Sequence, residues 1–82
     1  MLTLAFRLSS SDSREVRVVV FNLLGQPVAQ VLRPTRLKPG RYTLVWHGTD
    51  WRGKPVAEGR YVVEYRTGDD HVLAVVPWPQ KR

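Results

Sequence analysis

The chain has 82 residues, 43% of them hydrophobic, no cysteine and a net charge of +6. That length fits one small two-layer core, burying about 60–65% of the unfolded chain's surface, and leaves little room for a deep active-site cleft. The composition excludes a disulfide framework, a thiolate metal site and a disordered chain, and no apolar run approaches the roughly 20 residues of a membrane-spanning helix.

Alternation of apolar and polar residues dominates, and no stretch carries a helical period. Leu2, Leu4, Phe6 and Leu8 share one face of an opening strand, with Thr3, Ala5 and Arg7 on the other. A polar hinge, Ser9 to Ser13, leads to Val16, Val18 and Val20, which alternate with Arg17, Val19 and Phe21. That run is apolar on both faces near its end, as a strand central to a sheet would be. Asn22 to Pro27 reads as a hairpin turn with Gly25 at a positive φ. Val28 to Leu32 returns, and Arg33 to Gly40, holding Pro34 and Pro39, reads as a crossing loop. Tyr42, Leu44 and Trp46 alternate with Thr43 and Val45. After a long glycine-punctuated connection, Tyr61, Val63 and Tyr65 alternate with Val62, Glu64 and Arg66. Thr67 to Asp70 is a tight turn, His71 to Val76 the last strand, and Pro77-Trp78-Pro79 its stop, because proline cannot extend a ladder. Six strands result, or seven if Pro55 to Ala57 makes a short edge. No internal repeat and no domain boundary is read, so residues 1–82 are expected to form one domain.

Several of these residues stand in a recognisable order: Leu4-Ala5-Phe6-Arg7-Leu8, Phe21-Asn22-Leu23-Leu24-Gly25-Gln26-Pro27-Val28, Pro39-Gly40-Arg41-Tyr42, then Trp46, Gly48, Asp50, Gly53, Gly59 and Tyr61. The set resembles the Ig-like domain of flagellar hook-capping (FlgD) proteins and, beyond it, the related C-terminal sorting domains of bacterial exported proteins. The resemblance implies an all-β, Ig-like or fibronectin-III-like antiparallel sandwich of 6–7 strands that works by contact and not by catalysis. His47 stands where that pattern has an aspartate, which implies that a bond from the loop backbone to that acid is replaced here.

The residues themselves agree with this reading. Trp46 and Tyr61 flank the long loop, where large rings can plug one end of a sandwich core. Gly48, Gly53 and Gly59 allow conformations closed to residues with a Cβ. Asp50, three before Gly53, suits the first position of a β-turn. Trp51 sits at the loop tip beside Arg52 and Lys54, and these three form the candidate partner contact, since Trp and Arg lead interface hot spots.

Other chemistries find less support. A Ser-His-Asp set built from His47, Asp50 and the hinge serines lacks a nucleophile elbow and an oxyanion hole, so no catalytic residue is assigned. His47, Asp50, Asp69, Asp70 and His71 lack metal-ligand spacing, and no cofactor is expected. The charge leaves open a basic β-domain that binds nucleic acid or another polyanion, with Arg33, Arg36, Lys38 and Arg41 gathered by folding. A sorting or anchoring domain at the end of an exported protein is the other alternative, weakly favoured by the closing Lys81-Arg82. A protein partner is the leading expectation, without membrane insertion. No signal peptide is read, so the chain is expected to be cytoplasmic if complete and exported if part of a longer protein.

Overall fold

A computed structural model describes residues 1–9 and 11–79. It is all-β: β1 (Leu2–Leu8), β2 (Arg14–Phe21), β3 (Pro27–Leu37), β4 (Gly40–Trp46), β5 (Gly59–Thr67) and β6 (Asp70–Trp78). β1 pairs with β4, and the other strands form an antiparallel sheet in the order β3-β2-β5-β6. The two sheets enclose one core, the arrangement of an Ig-like sandwich.

Alternation decides which side chains enter that core. Leu2, Leu4 and Leu8 of β1, Trp46 of β4, Val16, Val18 and Val20 of β2, and Tyr61 and Val63 of β5 are buried. Phe6 and Tyr42 lie opposite each other in the β1–β4 ladder and stack with centroids 5.4 Å apart, and Phe6 also meets Tyr65 at 5.7 Å. This burial raises the Tyr65 phenol above its ordinary value, because the charged form loses water. Two strands cannot cover four, so Val72, which shares the inner face with Val18 and Tyr65, remains exposed at the β6 edge.

Two expectations are corrected. The segment Arg33 to Leu37 is the second half of β3, not a crossing loop. β3 is an edge strand whose register slips three times against β2, and Arg33 and Pro34 occupy one slip, between Leu32 opposite Val18 and Thr35 opposite Val16. An edge strand has a solvent side where a missing N–H does no harm, and a bulge tolerates proline. The same reason lets β6, the opposite edge, run through Pro77 to Trp78 when Pro77 was expected to stop it. Pro55 makes only an isolated bridge to Thr49, so six strands form among the described residues.

Candidate functional site

The long connection Trp46–Tyr61 is an ordered loop. Trp46 is 3% exposed and Tyr61 8% exposed, and their rings meet edge to face at 5.4 Å. Trp46 Nε1 donates to the Thr49 carbonyl at 2.9 Å, and the Tyr61 hydroxyl donates to the Ala57 carbonyl at 2.6 Å. The loop is therefore tied to the core rings at both ends. A third ring closes the same end of the sandwich: Trp78 lies 5.2 Å from Trp46 and covers Gly48. Gly48 is buried at φ +73°, and a Cβ there would fall among the Trp78 ring atoms. Gly59 opens β5 two residues before Tyr61.

Asp50 organises the loop tip. Its Oδ1 accepts the backbone N–H of Arg52 at 2.8 Å and of Lys54 at 3.0 Å. Its own backbone N–H donates to the Lys54 carbonyl at 2.8 Å, and its carbonyl accepts the Gly53 N–H at 2.9 Å. Gly53, at φ +83°, lets the chain reverse where a Cβ would strain it. Asn22 repeats this frame at the first hairpin. Its Oδ1 accepts from Leu24 at 2.9 Å and Gln26 at 3.0 Å, its carbonyl accepts from Gly25, also at φ +83°, and its N–H donates to Gln26. Against the expectation of no internal repeat, the sequence thus recurs as Asn22-Leu-Leu-Gly-Gln-Pro-Val-Ala29 and Asp50-Trp-Arg-Gly-Lys-Pro-Val-Ala57. A Gly-Arg-Tyr strand start follows each copy, and Tyr42 repeats the bond of Tyr61 by donating to the Lys38 carbonyl. Aligning the chain with itself on Gly-x-Pro-Val-Ala reveals this; reading strands by alternation does not.

An expected outcome follows from the pairing of the two turns. Asp50→Asn keeps the Oδ1 acceptor and should leave stability within about 0.5 kcal/mol, as Asn22 shows in the sister turn. Asp50→Ala orphans two N–H groups at the surface and should cost about 1–2 kcal/mol. Urea denaturation of the two variants checks this, and equal losses would reject the role given to Oδ1.

Trp51, Arg52 and Lys54 protrude from this frame. Trp51 is 71% exposed, although its backbone N–H is anchored to the Val28 carbonyl at 3.0 Å. The Arg52 guanidinium sits 4.7 Å over the indole, a cation–π contact that fixes the tip as a pair. Beneath the indole runs an apolar slot lined by Val19, Pro27, Val28, Ala29 and Gln30. Lys54 is exposed beside them.

Among the described residues, His47, Asp50 and the hinge serines are not brought together. His47 is exposed at the end of β4, next to the position that pairs with Leu2, whereas the serine hinge follows Leu8 at the far end of the same ladder. Six residues of strand separate those ends by about 20 Å. The Asp50 carboxylate is committed to the turn, and the loop N–H groups reach Asp50 and Gly48 and not His47. Among the described residues, no group of three or more His, Asp or Glu is placed to hold a metal ion. Of the basic residues, Arg41 lies opposite Arg7 on the outer face of the small sheet, and Arg36 lies opposite Glu15 on the other sheet. The closing Lys81-Arg82 lies outside the described residues.

Comparison with known proteins returned no match to a curated protein and none to a solved structure. The sequence does match the FlgD Ig-like domain over residues 2–70, a span holding β1 to β5 and the whole Trp46–Tyr61 connection. With the match covering most of the chain and the structure an all-β sandwich of the same class, the protein belongs to the FlgD Ig-like domain family.

Proposed function

We propose that this structural module is an accessory docking domain of a larger assembly, of the cell-surface kind served by hook-capping proteins, and that it grips a protein partner through Trp51, Arg52 and Lys54. The observation that carries this reading is a tryptophan 71% exposed on a turn that is itself closed by hydrogen bonds. A large aromatic held in water on a fixed backbone loses little freedom when a partner covers it, which is the profile of an interface hot spot.

Capture from source-cell extracts with the tagged domain, with and without nuclease and at raised salt, tests the reading. A partner that survives both treatments supports it. Trp51→Ala should then weaken that partner at least about 30-fold, the effect of a hot spot worth about 2 kcal/mol or more, while the melting temperature moves by only a few degrees. A second reading, a surface for a polyanion, draws on the Arg7–Arg41 pair with Lys38 and Arg36 nearby in the chain. Capture that collapses on nuclease treatment, with binding falling steeply as salt rises, would replace the first reading with this one.

A further inference from the structure

The outer face of the four-stranded sheet bears a pattern that extends well beyond the slot beneath Trp51. Register places its side chains in rows across the strands: Arg17–Arg66–His71, then Val19–Glu64–Leu73, then Phe21–Val62–Val75. Leu73 is 58% and Val75 63% exposed. At the β3 edge, Pro27 lies opposite Phe21 and Gln30 opposite Val19, so the two apolar rows run on into the slot beneath Trp51. The four strands together span about 15 Å, with rows about 7 Å apart. Solvated sheet faces alternate to polar residues on this side; here two of three rows are largely apolar.

The arginine row is the second observation. Arg17 and Arg66 are directly opposite each other on β2 and β5, where like charges repel. The Nε of each is withdrawn from water and has no hydrogen-bond partner. Of the carboxylates on this face, Glu64 reaches Arg66 Nη2 at 3.5 Å, long for a charge-assisted bond, and Glu15, two residues before Arg17 on the same strand, lies opposite Arg36. Three guanidiniums, Arg17, Arg36 and Arg66, thus face two acids across these rows. A further carboxylate laid across Arg17 and Arg66 would meet their terminal Nη groups.

We propose that this face binds a protein segment that is apolar along one side and acidic at its flank. Its carboxylate sits between Arg17 and Arg66, and its apolar side chains cover Val19, Leu73, Val62 and Val75. The proposal rests on the reading of the domain as a docking module and adds a second contact area, distinct in chemistry from the Trp51 tip. A second copy of the chain is a poor occupant, because its equivalent face brings the same excess of arginine. An anionic lipid surface shares part of the chemistry and forms a separate arm of the test.

The test uses the intact, isotope-labelled domain titrated with a blocked peptide of alternating glutamate and leucine, its lysine-for-glutamate counterpart, and phosphatidylglycerol vesicles. Amide shifts with the acidic peptide are expected at Arg17, Val19, Val62, Arg66, Leu73 and Val75, with none from the basic peptide. Arg17→Gln/Arg66→Gln and, independently, Leu73→Ser/Val75→Ser should each lower affinity about tenfold. Trp51→Ala should change it less than about twofold. Equal binding of both peptides, shifts confined to other surfaces, or binding indifferent to the arginine pair would overturn the proposal. Vesicle binding that depends on the arginines, without peptide binding, would overturn it in favour of a membrane surface. If Trp51→Ala abolishes peptide binding while the sheet-face variants retain it, this proposal fails and docking at the Trp51 turn stands.

Discussion

Gly48→Ala is expected to be among the most damaging single-methyl changes available to this chain. Two terms add. An L-residue at φ +73° costs about 1–2 kcal/mol, and forcing a methyl into the Trp78 ring costs a further 1–3 kcal/mol or so by overpacking. A domain of this size has only about 4–12 kcal/mol of net stability, so the substitution removes a large share of it. At about 4–8 °C per kcal/mol, the melting temperature should fall by about 8 °C or more. The two terms separate in a double-mutant cycle with Trp78→Ala. Removing the ring relieves the clash but not the backbone strain, so the double variant should be more stable than the sum of the single losses implies. Additive losses would show that the ring and the glycine do not meet.

A chain ending at Asp69 should fail to fold. The family match stops at residue 70, yet β6 makes nine register pairs with β5 and delivers Trp78 to the Trp46–Tyr61 cluster. Loss of a packed tryptophan alone costs about 3–5 kcal/mol, and removal of β6 also uncovers the β5 edge and the flanks of Tyr61 and Val63, which lie opposite Val76 and Ala74. Together these match the whole stability of the domain. Circular dichroism and amide dispersion of residues 1–69 give the answer. A cooperative melt in that fragment would mean that β6 is an accessory strand.

The parts of this fold that were legible in the sequence are those where period two is strict. β1, β2, β4 and β5 announce their inward residues because each is buried on one regular face, and the turns at Gly25 and Gly68 carry their own chemistry. β3 is not legible at Arg33 to Leu37, because its three slips against β2 destroy the alternation that marks a strand. The end of β6 is not legible either, because Pro77 signals a stop only in a strand with neighbours on both sides, and edge position is a property of the sheet, not of the segment. At the loop, spacing marked Trp46, Asp50 and Tyr61, but nothing local pairs Gly48 with a tryptophan 30 residues away. The Arg17–Arg66 pair was equally hidden, since it exists only once β2 and β5 have their register.

The recurring Asx-x-x-Gly-x-Pro turn has an evolutionary consequence. Its bonds run through the Asx side chain, the glycine and the main chain, with one addition in the first copy, where Asn22 Nδ2 donates to Gln26 Oε1. The side chains of the tip dipeptides, Leu23-Leu24 in one copy and Trp51-Arg52 in the other, take part in none of its hydrogen bonds, and Leu23, Leu24 and Trp51 are 65%, 84% and 71% exposed. Each turn is a socket whose two display positions can be rewritten without renegotiating the fold. Paralogues built on this frame are free to diverge in what they bind by changing as few as two codons per socket, and a library randomised at positions 23, 24, 51 and 52 samples recognition while leaving the scaffold alone.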